Sequence, residues 1–175
     1  RPSDPAWRVV GTGDMNRDGQ VDILFQHSDG RLVVWLMNKA DLVRGLLLTP
    51  AHPGSEKWRV VGTGDLNQDD HLDVVFQHAD GTLAGWLMDG PKLKQPVLLS
   101  PAHSGDPQWR AAAISDLNLD RKVDLIFQHA GDGTMGSPDL VPVGGGAGPS
   151  GCVERAAAAE GAAAGTVHPI LPGIC

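Results

Sequence analysis

Cysteine is almost missing from this chain. The only two, Cys152 and Cys175, lie outside its patterned part. A single disulfide between them is open, but nothing upstream depends on it, so the redox compartment stays undecided. Basic residues are neither numerous nor clustered: 14 Lys and Arg face 21 Asp and Glu, for a net charge of −7. Phosphate binding needs grouped cations, which argues against a nucleic-acid partner. No apolar stretch approaches the ~18–20 residues of a membrane span. Glutamate is scarce too, Glu56 being the only one within the repeats. A glycosidase needs two free carboxylates at a suitable separation, and most acids outside the motif described below are turn residues such as Asp29 and Asp80. A nucleophile elbow, a phosphate loop and a Cys-rich zinc pattern are all missing. These absences point away from an enzyme. The chain also begins at Arg1 without Met or an apolar leader, so it is expected to be a processed or excised piece.

What the chain does have is a period. Trp7, Trp58 and Trp109 recur at spacings of 51 and 51 residues, each opening a copy of one unit. A fixed period of about 50 residues marks a solenoid or propeller, because each unit buries its apolar surface only by stacking on its neighbours.

After each Trp comes a loop with oxygen donors on alternate residues. Loop one reads Asp14-x-Asn16-x-Asp18-Gly19-x-x-Asp22, and loop two Asp65-x-Asn67-x-Asp69-Asp70-x-x-Asp73. Loop three reads Asp116-x-Asn118-x-Asp120-Arg121-x-x-Asp124. Oxygens at the first, third, fifth and ninth positions suit a hard cation such as calcium (Ca2+), and the seventh residue (Gln20, His71 or Lys122) would add its backbone carbonyl. The first half mimics an EF-hand, but the twelfth position is Phe25 rather than Glu, so the bidentate ligand is absent and Asp22 would serve instead. Nine Asp occupy ligand positions and Asp70 adds a tenth; three divalent cations would bring the net charge from −7 to −1. Without metal the same residues read as Asp and Asn caps on tight turns. In one loop that reading would compete; three loops in register favour the metal. The sixth position, where the chain turns sharply, holds Gly19, Asp70 and Arg121. Arg there costs roughly 1 kcal/mol or more, and Lys122 adds positive charge, so loop three is expected to bind weakest.

In the first unit, strands are expected at Trp7 to Val10, Val21 to Gln26, Leu32 to Met37 and Leu46 to Thr49, the last stopping at Pro50. Ser28-Asp29-Gly30 and Ala79-Asp80-Gly81 are hairpin signals, since Gly accepts positive φ cheaply. Leu32, Val34 and Leu36 point one way while Val33, Trp35 and Met37 point the other. A strand apolar on both faces is covered on both sides, as in stacked propeller blades. The expected fold is all-β: a partial β-propeller of two to three four-stranded antiparallel blades, at about residues 7–57, 58–108 and 109–131.

These units resemble the FG-GAP or VCBS-type repeat of bacterial secreted and surface proteins. The first reads W-R-V-V-G-T-G-D-x-N-x-D-G-x-x-D-I-L-F-Q-H-x-D-G-x-L-x-V-W-L-M-N. Integrin α-subunit propellers and a group of fungal lectins carry a similar calcium loop. The resemblance covers about residues 7–130. It implies a β-propeller, calcium in the rim loops, an extracellular or cell-surface setting and a role in binding rather than catalysis. It supplies no ligand.

The pattern then breaks. Ala111-Ala112-Ala113-Ile114-Ser115 replaces Val-Val-Gly-Thr-Gly, an extra Gly131 precedes Asp132-Gly133, and no Trp-Leu-Met strand follows. The Gly/Ala/Pro-rich tail over 132–175 lacks strand or helix patterning and is expected to be disordered. A shifted reading frame and a genuine flexible linker both account for it. Two and a half blades do not close a ring of about 4–8, so further blades or a second chain are expected as partners. His27, His78 and His129 recur at a fixed blade position and are read as packed or hydrogen-bonded rather than zinc ligands, as are His52 and His103. Trp35 and Trp86, in mid-strand, are read as core rather than sugar platforms. Three functions compete: a calcium-stabilised module binding an extracellular protein or glycan, a lectin-like propeller, and an accessory domain of a secreted enzyme. The segments Lys39 to Arg44 and Pro91 to Gln95, read as loops between blades, carry no aromatic, which disfavours the lectin.

Overall fold

Gly, Asp and Pro interrupt the apolar runs so often that no helix forms among the described residues, and short antiparallel strands result. The computed structural model describes residues 4–103, 107–136 and 141–143. Blade one is a four-stranded sheet of β1 (Trp7–Gly13), β2 (Asp22–His27), β3 (Leu32–Asn38) and β4 (Asp41–Leu47), paired in that order. Blade two repeats it with β5 (Trp58–Gly64), β6 (Asp73–His78), β7 (Thr82–Asp89) and β8 (Lys92–His103). Blade three has β9 (Trp109–Ser115), β10 (Asp124–His129) and the two-residue β11 (Met135–Gly136). The partial propeller expected from the repeat is present.

Three local readings are corrected. The fourth strand starts earlier than its apolar run: Asn38 pairs with Asp41 and Asp89 with Lys92, so β4 and β8 begin at tight hairpins. Lys39 to Arg44 and Pro91 to Gln95 are therefore this hairpin and strand, not connections between blades. Their polar residues misled because an outermost strand is wet. The blade boundary at residue 131 is also too early. Met135 pairs with Gln128, and β12 (Val141–Val143) joins blade two as a fifth strand against Leu98, Leu99 and Ser100. The remainder of the tail expected to be disordered lies outside the described residues.

Burial explains the two-sided apolar pattern of β3. Leu24, Leu32, Val34 and Leu48 of blade one pack against Val60, Val74, Phe76 and Trp86 of blade two. Leu66, Val75, Leu83 and Leu99 of blade two repeat the contact against Leu125 and Phe127 of blade three. Trp86 is buried against Phe76 (5.0 Å between ring centroids), as the core reading requires. Trp35, against Phe25 at 4.8 Å, is only half-buried because no blade covers that side among the described residues. The periodic histidines stack on the tryptophans that open each blade: Trp7–His27 at 4.9 Å, Trp58–His78 at 4.8 Å, Trp109–His129 at 5.2 Å. His52 Nε2 lies 2.6 Å from the Asp29 carbonyl and is a packed turn residue too.

Polar clamps join the blades as well. Gln26, buried at the end of β2, accepts from Val60 N–H at 3.0 Å and donates to the Trp58 carbonyl at 2.9 Å. Gln77 repeats both bonds to Ala111 and Trp109, at 3.1 and 2.8 Å. Replacing Gln26 with Ala strands a buried donor and acceptor, and should cost ~1–3 kcal/mol in urea unfolding. The same change at Gln128, which is exposed, should cost little; equal losses would show that the clamp does not hold blades together.

Candidate metal centre

Each acidic loop connects the end of a blade's first strand to the start of its second. The three lie next to one another: Arg17 Nη1 is 3.3 Å from His71 Nε2, and Gln68 Nε2 donates to the Arg121 carbonyl at 3.3 Å. Loop one thus touches loop two, and loop two touches loop three.

One network builds all three loops. The first-position Asp accepts two consecutive backbone N–H groups, those of the fifth and sixth residues. The bonds are 3.0 and 2.7 Å at Asp14, 3.2 and 2.9 Å at Asp65, and 3.1 and 2.8 Å at Asp116. Asn16, Asn67 and Asn118 accept the same fifth N–H at 3.1, 3.2 and 2.9 Å. The fifth-position Asp18, Asp69 and Asp120 accept from the backbone N–H of Gln20, His71 and Lys122 at 2.8, 3.0 and 2.8 Å. These are nested Asx turns, the geometry that favours Asp and Asn at such positions. The sharp sixth position has positive φ in every loop: 81° at Gly19, 61° at Asp70, 67° at Arg121. The fourth does as well, at Arg17, Gln68 and Leu119 (62°, 62° and 63°). None of these three residue types advertises a left-handed backbone.

The ninth-position Asp does a different job. Asp22 and Asp73 are 1% and 0% exposed. Asp22 accepts from Met15 N–H and Met37 N–H at 2.9 Å each, and Asp73 from Leu66 N–H at 2.9 Å and Met88 N–H at 2.8 Å. Each carboxylate thus ties its loop to the third strand of its own blade. Asp124 keeps only the loop bond, from Leu117 N–H at 2.7 Å, since blade three has no full third strand among the described residues. Burial pushes the Asp73 carboxyl up to about 6; the Met88 and Leu66 N–H groups oppose this and the nearby Asp69 and Asp65 charges add to it.

Basic side chains reach two of the loops. Lys122 Nζ stands 3.7 Å from Asp120 Oδ2, in the loop that carries strained Arg121. Lys94, from β8, lies 3.3 Å from Asp69 Oδ2 in loop two. Lys94 was missed because its segment was taken for a connection; in blade one the matching residue is Val43.

The donors are all hard oxygens, the chemistry calcium prefers, and a carboxylate oxygen that accepts one N–H retains a second lone pair. Donor type and charge fit a divalent cation. The arrangement itself is drawn onto the loops' own N–H groups. Among the described residues no three His, Cys, Asp or Glu side chains are grouped closely enough to form a metal cage.

Replacing Asp73 with Asn points an NH2 at one of two backbone N–H donors in a dry site, and should cost ~1–3 kcal/mol. Asp124→Asn can turn its NH2 away from its single donor and should cost less. Chemical denaturation of both variants checks this; equal losses would mean that the bond to the third strand contributes nothing.

No curated protein matches the chain. The model of the FG-GAP-like repeat matches residues 14–76. The match begins at the first ligand position of loop one, crosses the remaining strands of blade one, and ends in β6 beyond loop two. It therefore contains two loops with the blade between them, the same unit that the structure repeats, and the chain carries FG-GAP-type repeats.

Proposed function

We propose that the chain is a non-enzymatic, calcium-binding propeller module that binds an extracellular protein or glycan. The observation that carries this reading is the oxygen-rich loop itself, built three times with the same bonds and placed side by side. When bound, calcium would neutralise carboxylates that otherwise repel one another; at Asp73 the Asp69 and Asp65 charges add to burial, the main cause of its raised pKa. Asp14, Asn16, Asp18 and Asp22 would hold it in loop one, Asp65, Asn67, Asp69 and Asp73 in loop two, and Asp116, Asn118, Asp120 and Asp124 in loop three. The carbonyls of Gln20, His71 and Lys122 complete the sets.

Lacking a twelfth-position Glu, such loops belong with the weak sites of about 10⁻⁴–10⁻³ M that fill only where calcium is plentiful, which supports an extracellular or cell-surface setting. Among the described residues no helix is long and apolar enough to cross a membrane. The lectin-like and enzyme-accessory readings gain no particular observation. The turns joining β3 to β4 and β7 to β8 offer no aromatic, and Trp86 is buried.

Because only the folded chain has the sites, calcium raises stability by mass action. Thermal midpoints in millimolar calcium and in chelator, at matched ionic strength, should differ by several degrees; identical melts would leave only the turn-capping role. Asp14→Ala or Asp18→Ala should lose more of that gain than Asp116→Ala or Asp120→Ala, as read by titration calorimetry. Loop one has the unstrained Gly19 and, among the described residues, no lysine ion-paired with its carboxylates, whereas loop three has Arg121 and Lys122.

Acidity supplies a further check. A carboxyl whose folded-state pKa is raised favours folding most at low pH, and that contribution is lost as pH rises from about 4 through about 6. Metal-free protein should therefore gain stability from Asp73 between neutral pH and pH 5, while calcium, competing with that proton, should stabilise less. A calcium increment in the midpoint that stays flat over this range would remove Asp73 from the site.

A further inference from the structure

The fourth strands of blades one and two carry the same irregularity. Leu36 pairs with Arg44 and Met37 with Leu42, which leaves Val43 as the extra residue of a β-bulge in β4. In β8, Leu87 pairs with Gln95 and Met88 with Leu93, and the extra residue is Lys94. A bulge re-aims the side chain of its unpaired residue. This one is tied to the acidic loop of its own blade, because the Met37 and Met88 N–H groups beside it bond Asp22 and Asp73. A long side chain at the bulge can therefore reach the loop. Lys94 does so, with its Nζ 3.3 Å from Asp69 Oδ2.

The two loops differ at that oxygen. In loop one, Asp18 Oδ2 accepts from Asn16 Nδ2 at 2.9 Å and meets no ammonium among the described residues. In loop two, Asp69 Oδ2 accepts from Asn67 Nδ2 at 3.1 Å and from the Lys94 ammonium as well. Asp69 Oδ1 is engaged too, by the His71 N–H at 3.0 Å. Loop two also has Asp70 where loop one has Gly19, a fourth carboxylate that by charge alone would make it the stronger cation loop. Lys94 offsets that charge, and Arg17 turns its guanidinium from loop one toward His71 of loop two.

We infer that Lys94 is a specificity-determining residue of loop two: its ammonium is a tethered counter-cation for Asp69, competes there with a free divalent cation, and makes loop two fill after loop one. The inference rests on the calcium reading of the loops and adds the order in which they fill. The competition is electrostatic. Asp69 must exchange an ammonium for the metal, and the displaced Lys94 still repels a nearby dication. Lys94 is 57% exposed and Asp69 26%, so water screens the pair and keeps its effect modest. Exposed pairs of this kind shift an equilibrium by about 1.5–5-fold.

The test uses the full chain and follows calcium titrations by NMR, with the Gly19 amide reporting loop one and the Asp70 amide loop two. Lys94→Met keeps the stem without the charge, Lys94→Arg keeps the charge, and Val43→Lys places an ammonium at the bulge of blade one. In the unaltered chain Gly19 should respond at lower calcium than Asp70. Lys94→Met should lower the Asp70 midpoint by about 1.5–5-fold and leave Gly19 where it is, whereas Lys94→Arg should move neither. Val43→Lys should raise the Gly19 midpoint by a similar factor. In chelator at low salt the sign reverses, and Lys94→Met should lower the thermal midpoint. A lysine that only packs would cost stability in both conditions and leave the Asp70 titration unmoved, which would overturn the proposal. So would an Asp70 response that precedes Gly19 in the unaltered chain. Calcium that moves neither amide in any variant would instead remove the calcium reading, and the competition with it.

Discussion

Everything in this molecule depends on the contact between neighbouring blades. A four-stranded sheet that is apolar on both faces cannot be stable alone in water, so each blade is folded by the next. The chain meets that constraint with a small set of devices repeated in register. Branched and aromatic side chains fill the space between sheets, glycines remove the side chains that would hold the first strands apart, and a buried glutamine satisfies the backbone groups at the seam. The last of these matters because first-strand N–H groups facing the next blade have no partner in their own sheet. Without Gln26 the Val60 N–H would be buried and unpaired.

The same constraint explains why so much could be read from the sequence. Stacking forces every unit to repeat its spacing, so Trp7, Trp58 and Trp109 mark blades, and alternation in Leu32 to Met37 reports two covered faces. Asp at the first, fifth and ninth loop positions and Gly19 at the sixth were equally legible, because a tight turn accepts few alternatives. What stayed hidden has no local signature. Arg17, Gln68 and Leu119 take positive φ only because the fifth and sixth N–H groups are pulled onto the first-position carboxylate. Asp41 to Arg44 reads as a loop because most of an outermost strand faces water. Lys94 comes to Asp69 only after two hairpins have folded back, and Val141 to Val143 joins a blade that precedes it by a whole unit.

The ninth loop position shows how fold and proposed site share one atom group. Asp22 and Asp73 read first as metal ligands; in the structure each is also a staple between loop and third strand. The proposed ligand role does not compete with this one. A carboxylate has about four lone-pair sites, and two backbone N–H groups leave room for a cation. Asn at this position would keep one acceptor and lose the other, and Glu would be too long to bond both strands from the same backbone. A single Asp thus carries any gain from a filled loop into the register of the sheet.

Blade three shows the same logic in its partial form. With no full third strand among the described residues, Asp124 keeps one of its two backbone partners. Its loop also carries Arg121 in a left-handed conformation and a lysine beside Asp120. Its first strand has Ala113 and Ser115 where the other two have glycine, and among the described residues its third strand is the two-residue β11. On the side facing blade two, Trp109, Leu125 and Phe127 fill the seam. On the other side Leu117 and Met135, at the positions of the buried Leu66 and Leu83, are 52% and 57% exposed, so blade three keeps apolar residues there that nothing among the described residues covers.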